Sequence, residues 1–256
     1  MPPTEDVTYG DYLAVEPLLQ LQRPRSLPEH PDELLFIVVH QASELWFKVL
    51  LHEFDLLISR LQSGDAMAAL SSMRRINAVT RIVAAQLSSL DTLPPQRFAE
   101  FRGYLGSASG GQSVQFRAIE AVSGLRDEHF LAVLKEHGDI PQVIQTILER
   151  PTLQSLFPDL LAKRGLTLEA VYADPAVSDL FFLGESLIEY EQGFGLWRFL
   201  HVQLVERIIG PLTGGTGGTL GSKYLKRTLA QRFFPTLWEV RSKFFGTGGA
   251  SAGAVP

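Results

Sequence analysis

From Glu191 the chain reads EQGFGLWRFLHVQLVERIIGPLTGGTGGTLG, and no other stretch constrains the fold as tightly. Phe194, Trp197, His201, Leu204 and Ile208 recur at steps of three and four, which places them on one face of an α-helix. His201 therefore points inward from an apolar stripe. A buried imidazole needs a hydrogen-bond partner or a metal, because leaving its nitrogens unpaired costs roughly 1–3 kcal/mol. Most inward histidines are satisfied core residues, so the stripe alone does not separate structure from chemistry.

The helical period continues along the chain. A long helix is expected from about Asp32 to Gln62, stopped by Ser63 and Gly64. Its apolar positions, among them Leu35, Val38, Val39, Leu45, Trp46, Val49, Leu50 and Leu56, form a band too broad for a helix with one exposed side, so central burial is expected. Further helices are expected at Ala66–Leu90, ending before Pro94-Pro95, at Gln96–Tyr104 and, after the loop GSASGG, at Gln112–Ser123. Asp127–His137, Pro141–Leu148 and Pro175–Ile209 follow, and Lys223–Phe245 makes one or two closing helices around Pro235. The stretch Thr152–Asp174 is broken and reads as a smaller helical insertion, at about 150–175. With no alternating strand pattern, heptad run or internal repeat, the expectation is an all-α helical bundle. A single domain over 1–245 would carry it, with GTGGASAGAVP (246–256) as a disordered tail.

Composition removes several chemistries. With zero cysteine among 256 residues, disulfides, thiolate metal sites, thiol nucleophiles and covalent haem attachment are all out of reach. Any metal must be held by histidine or carboxylate, or arrive inside a cofactor. A net charge of −5 gives no basic footprint for nucleic acid. The opening MPPTEDVTYG has neither a basic start nor an apolar run, and the longest uninterrupted apolar run, Leu34 to Val39, is too short to span a bilayer. No membrane association and a cytoplasmic location are the expectations.

Common catalytic motifs are missing. No glutamate is followed three positions later by histidine, so the Glu-x-x-His pairs of a di-iron bundle do not occur. His52-Glu53 is followed by Phe54, Asp55 and Leu56, which breaks the zinc-protease pattern. The glycine-rich loop ends in Gly221-Ser222-Lys223 without the Gly-Lys of a phosphate-binding loop, and no G-x-S-x-G elbow appears.

Three features remain that make chemical sense together. His201 on its stripe suits axial ligation of haem iron, with a hydrogen bond expected at its second nitrogen. Phe36 and His40 lie four apart on one helical face, a stacking wall beside a hydrogen-bonding group. Arg102 precedes a Ser/Gly loop and, with Thr216 of the later glycine loop, offers a fork and a hydroxyl suited to a carboxylate. Each has a plain alternative: Phe36 as core, His40 as a structural histidine, Arg102 as a solvated charge, the glycine loop as a linker.

FIVVHQASELW from Phe36, FRGYLGSASG from Phe101, QSVQFRAIE from Gln112, LWRFLH from Leu196 and the TGG of Thr216 resemble, in order, the tryptophan 2,3-dioxygenase family. The resemblance runs from about Tyr9 to Trp238. It implies a non-covalent haem b with His201 as proximal ligand, and a distal pocket taking L-tryptophan and O2. Phe36 would pack against the indole, and His40 would hydrogen-bond its N–H without having to act as a general base. Arg102 would clamp the carboxylate, Thr216 would close over the amino-acid end, and Ser109 would lie near the haem and the indole edge. Tyr9, Tyr12 and Leu13 would reach a neighbouring subunit's pocket in a homotetramer.

Some positions depart from the family pattern. Phe98 stands where some members have a carboxylate-binding tyrosine, Gly111 where an aromatic is usual, and Leu87 where some have a tryptophan near the haem; the loop before Thr216 is one residue longer, with Gly214 and Gly215. These changes affect the pocket more than the scaffold. Ring-cleaving dioxygenation ranks first, with monooxygenation of a tryptophan derivative to a 2-oxindole, and a non-catalytic haem sensor or carrier, as the alternatives.

Overall fold

The computed structural model describes residues 6–126, 131–132, 134–135, 138, 140–174, 178–215 and 221–245. Among the described residues the regular structure is entirely helical, which makes the chain all-α. Thr216 and the tail at 246–256 lie outside the described residues, as does much of the helix expected at Asp127–His137.

Two short helices, α1 (Tyr9–Leu13) and α2 (Val15–Leu19), precede the long α3 (Glu33–Ser63). Gly64, at φ 84°, turns the chain, and Asp65 accepts from Ala68 N to cap α4 (Ala66–Gln86). A 3-10 segment (Leu87–Thr92) leads to α5 (Pro95–Arg102), and after the Ser/Gly loop comes α6 (Val114–Ser123). Then follow α7 (Gln142–Leu148), α8 (Leu153–Lys163), α9 (Leu168–Ala173), the long α10 (Ser178–Ile209), α11 (Ser222–Thr228) and α12 (Pro235–Phe244).

Helix α4 packs against both α3 and α10, and these three form the body of the bundle. Phe54, Leu57, Met73, Ile76, Leu183, Leu187 and Tyr190 are sealed between them. A side chain at Gly193 would put its Cβ 3.1 Å from Thr80 Cγ2, so the glycine sets how near α10 comes to α4. Leu153, Leu156, Phe157, Leu160, Leu161 and Val171, from the stretch expected to be a broken insertion, join the same core. Thr152 and Thr167 cap α8 and α9 there through their hydroxyls.

Buried charge locks the middle of α10. Glu191 accepts from the backbone N–H of Phe233 and Phe234 at 2.8 Å and from Trp238 Nε1 at 2.6 Å, fixing the start of α12. Arg198 donates to Glu120 Oε1 at 2.8 Å, and Glu120 also receives Arg117 at 2.8 Å, tying α10 to α6.

The expected boundaries shift where hydroxyls compete. The helix foreseen to Leu90 ends at Gln86, because Ser88 and Ser89 donate back to Ala85 O and Gln86 O and the chain tightens to a 3-10 turn. The piece at Gln96–Tyr104 is α at Pro95–Arg102 and 3-10 at Gly103–Leu105. Central burial of the first long helix holds only for its C-terminal half, from Phe47 to Leu61; in the other half only Glu33 and Val39 are buried. By average apolarity and length α3 would also suffice to cross a membrane, although its longest uninterrupted apolar run is short; its C-terminal half packs into the helical core.

Removing one partner of a buried ion pair strands the other charge. Glu120→Ala is expected to lower the unfolding free energy by about 3–5 kcal/mol. Asp55→Ala, which breaks the exposed pair with Arg150, should change it by about 1 kcal/mol or less. Urea unfolding at one protein concentration checks both, and equal losses would contradict the assignment.

Candidate active site

Three helices and a 3-10 segment converge on the second apolar cluster of the described residues. Val39 from α3, Leu87, Leu90 and Leu93 from the 3-10 segment and its end, Phe98 and Phe101 from α5, and Leu204 and Ile208 from α10 form it. Phe36, Leu105, Trp197 and Leu200 pack against it and are only partly buried, so apolar surface is left uncovered beside it. Both candidate histidines belong to the helices that build these walls.

On α3 the i, i+4 spacing brings Phe36 and His40 together, with ring centroids 4.3 Å apart. His40 Nδ1 lies 2.7 Å from Phe36 O. A carbonyl only accepts, so Nδ1 carries the proton and Nε2 is left as an acceptor. The ring is exposed to solvent and yet desolvated enough to lower its pKa, against the raising effects of the Phe36 bond and the Glu44 charge. Phe36 is backed by Phe98 at 5.6 Å and Phe101 at 5.8 Å, so its ring is one face of an aromatic wall.

His201 stands on α10 with its pKa pushed down to about 4, chiefly by burial and then by the charge of His40. Of the two causes burial is the larger, and the charge His40 would carry adds to it. Trp197, one turn earlier, stacks on the His201 ring at 5.0 Å and 23° between planes. The hydrogen bond expected at the second nitrogen of His201 is not made by any described residue; the group in contact with the ring is the stacked indole.

A haem requires one neutral imidazole with a free lone pair and an apolar slot. His201 is neutral across the physiological range, has no competing partner among the described residues, and is flanked on its helix by Leu200 and Leu204 of the apolar cluster. The described residues contain no group of three His, Asp or Glu side chains that could hold a bare ion. Such a site suits iron delivered inside a porphyrin, and the residues fit that group.

Arg102 ends α5 and donates from Nη2 to Gly214 O at 2.6 Å, which brings the expected carboxylate fork onto the glycine loop two residues before Thr216. Ser109 caps the short 3-10 turn at Gly110–Gln112, accepting from Gly111 N at 3.3 Å, so its own O–H proton is left to donate elsewhere. The structure does not bring Tyr9, Tyr12 or Leu13 to this cluster: they lie on α1, exposed by 78%, 80% and 44%. Of the departing positions, Phe98 belongs to the aromatic wall, Leu87 is buried in the apolar cluster, and a Cβ at Gly111 would meet only Ser109 Oγ, at 3.6 Å. Trp197 and Phe101 shape the site without having been singled out for it. The spacing of Trp197 from His201 was a readable signal, whereas nothing in the sequence pointed to the Gly214 carbonyl.

His40 is expected to titrate below the ordinary 6.5 of a free imidazole, with the proton of its neutral form on Nδ1, because desolvation disfavours its charged form. Nitrogen-15 NMR of the imidazole across pH 5–8 checks this. An Nε2–H tautomer, or a ring that titrates at or above 6.5, would contradict the geometry.

The family profile described as Tryptophan 2,3-dioxygenase matches residues 4–156 and 159–244. The tryptophan 2,3-dioxygenase of Bacillus anthracis is 39% identical over 263 residues, covering 93% of each chain. That of Herpetosiphon aurantiacus is 40% identical over 265 residues, covering 93% of this chain and 99% of its own. That of Serratia proteamaculans is 36% identical over 261 residues, with 93% of each covered. The matched residues take in α3, α5 and α10 alike, and similarity of this extent places the whole helical body in one lineage: the chain belongs to the tryptophan 2,3-dioxygenase family.

Proposed function

We propose that this chain is a haem-dependent oxygenase that inserts both atoms of O2 across the C2=C3 bond of the indole of L-tryptophan, opening the ring to an N-formylkynurenine. The observation that carries this reading is the pair of neutral imidazoles, one free to ligate iron and one with an acceptor nitrogen, set among apolar walls. His201 would hold haem b, which when bound supplies the ferrous centre that activates O2. The indole lies against Phe36, and its N–H donates to His40 Nε2, so His40 orients the substrate and no proton need leave. Apolar walls exclude water from the reacting bond, and holding the partners near contact lowers the barrier by several kcal/mol.

Arg102 binds the carboxylate. Its guanidinium already donates to a neutral carbonyl, Gly214 O, and a carboxylate is the stronger, charge-assisted acceptor. With Phe98 in place of a phenol, recognition of that end rests on Arg102 together with Thr216, while Ser109 offers a donor near the indole edge. A homotetramer belongs to the same reading. Exposed Tyr9, Tyr12 and Leu13 would enter a neighbour's pocket, and the apolar row Leu34, Val38 and Leu45, at 48%, 42% and 52% exposure, gives α3 a surface to bury in assembly. A cytoplasmic location accords with the need to keep iron ferrous in a reducing compartment. The relatives' shared name does not favour the 2-oxindole or sensor alternatives.

Reduced, haem-loaded protein given L-tryptophan and oxygen-18 gas should yield a product carrying two labelled atoms. One labelled atom would point to the oxindole, and unchanged substrate to a sensor. Arg102→Met should raise the KM for L-tryptophan roughly 10–100-fold, the loss of a hydrogen bond to a charged group, with the Soret band intact. His201→Gly should remove that band. An Arg102→Met enzyme with unaltered KM would overturn the carboxylate clamp.

A further inference from the structure

We infer that Trp197 is a positioning residue for the iron ligand: the flat face of its indole, in place of a hydrogen bond, fixes the rotation of the His201 imidazole and keeps its outer nitrogen from acquiring an acceptor. This rests on His201 being the axial ligand.

Histidines that bind metals are ordinarily oriented through their second nitrogen, which donates to a carboxylate, a carbonyl or water and becomes more basic by doing so. No described residue fills that role for His201. What touches the ring is Trp197, four residues earlier on α10, stacked at 5.0 Å with 23° between planes. The i, i+4 relation makes the pair a product of the helix itself. The indole N–H is buried and has no acceptor among the described residues, so among them the residue contributes a surface to the site and no polar contact.

The indole is itself held from behind. Phe116 of α6 lies 5.0 Å from it and Phe194 of α10 lies 5.9 Å away, and those two rings stack on each other at 5.4 Å and 18°. Phe194 in turn packs against Phe233 at 5.2 Å, in the centre of the main core. A continuous series of ring contacts, some stacked and some tilted, thus runs from the core to His201, and each ring limits the rotation of the next.

The chemical consequence concerns electron supply. An imidazole whose outer N–H has no acceptor is a weaker donor to iron than one sharing that proton with a carboxylate, which leaves the ferrous state easier to hold. An enzyme that must meet O2 as ferrous iron benefits from that bias. Removing the indole opens its volume to water beside the imidazole, and water would accept the outer proton.

The test uses haem-loaded, full-length protein with Trp197→Leu, Trp197→Met and Trp197→Phe, read by resonance Raman of the reduced haem and by redox titration. Leu and Met should raise the iron–histidine stretching frequency and lower the reduction potential; Phe, which keeps a flat ring, should restore both towards wild type. Loss of haem from both Leu and Met with retention in Phe would also support the planar contact. The inference is overturned if Leu or Met holds haem with an unchanged stretch and potential, or if Phe behaves as Leu does. Failure of the underlying ligand assignment looks different: wild-type protein itself would then show no iron–histidine band.

Discussion

Charging an imidazole inside an apolar wall costs free energy that water would otherwise offset, and both histidines of the site sit where that cost decides their chemistry. Burial holds His201 neutral, with its pKa near 4, which leaves a lone pair for a metal. The same effect keeps His40 neutral, and the bond from Nδ1 to Phe36 O decides which nitrogen is left to accept. Neither property belongs to the residue type. Both come from the apolar shell of Val39, Phe98, Phe101, Leu204 and Ile208, and the shell in turn depends on α3, α5 and α10 being held in place.

That support comes from ion pairs and hydrogen bonds made by other residues of the same helices. Glu120 and Glu191 are buried carboxylates, and each accepts from a second element: Glu120 from Arg198 of α10 as well as from Arg117 of its own helix, Glu191 from the Phe233 and Phe234 amides and Trp238. Their charges are used to fix helices. The site's histidines stay neutral, and its one charged side chain of note, Arg102, sits at the rim on the glycine loop. Separating ionic locks from an uncharged reaction chamber suits chemistry on an indole, which brings no charge to the reacting bond.

What could be read from the sequence follows from how local each signal is. Phe36 with His40, and Trp197 with His201, are four apart on long helices, so periodicity alone foretold their shared faces. The contact of Arg102 with Gly214 joins residues 112 positions apart, and no local pattern encodes it. Helices α1 and α2 were not foreseen because five residues without a buried position leave no periodic trace. In α3 the pattern was read correctly as helical and too strongly as central: apolar residues such as Leu34 and Val38 face outward, and composition does not distinguish a core from a surface awaiting a second chain. The caps at Thr152 and Thr167 were visible signs of order in a stretch judged broken.

The glycine at 193 has a reach beyond its own contact. It lies eight residues before His201 on one uninterrupted rod, a span of about 12 Å at 1.5 Å per residue. Thr80 already stands at the limit of approach there. A methyl group added at that pivot would prise the rod from its neighbour by tenths of an ångström, and a stiff helix delivers such tilt to its far end. The height of the imidazole above its slot is thereby set two turns away, by a residue with no side chain at all.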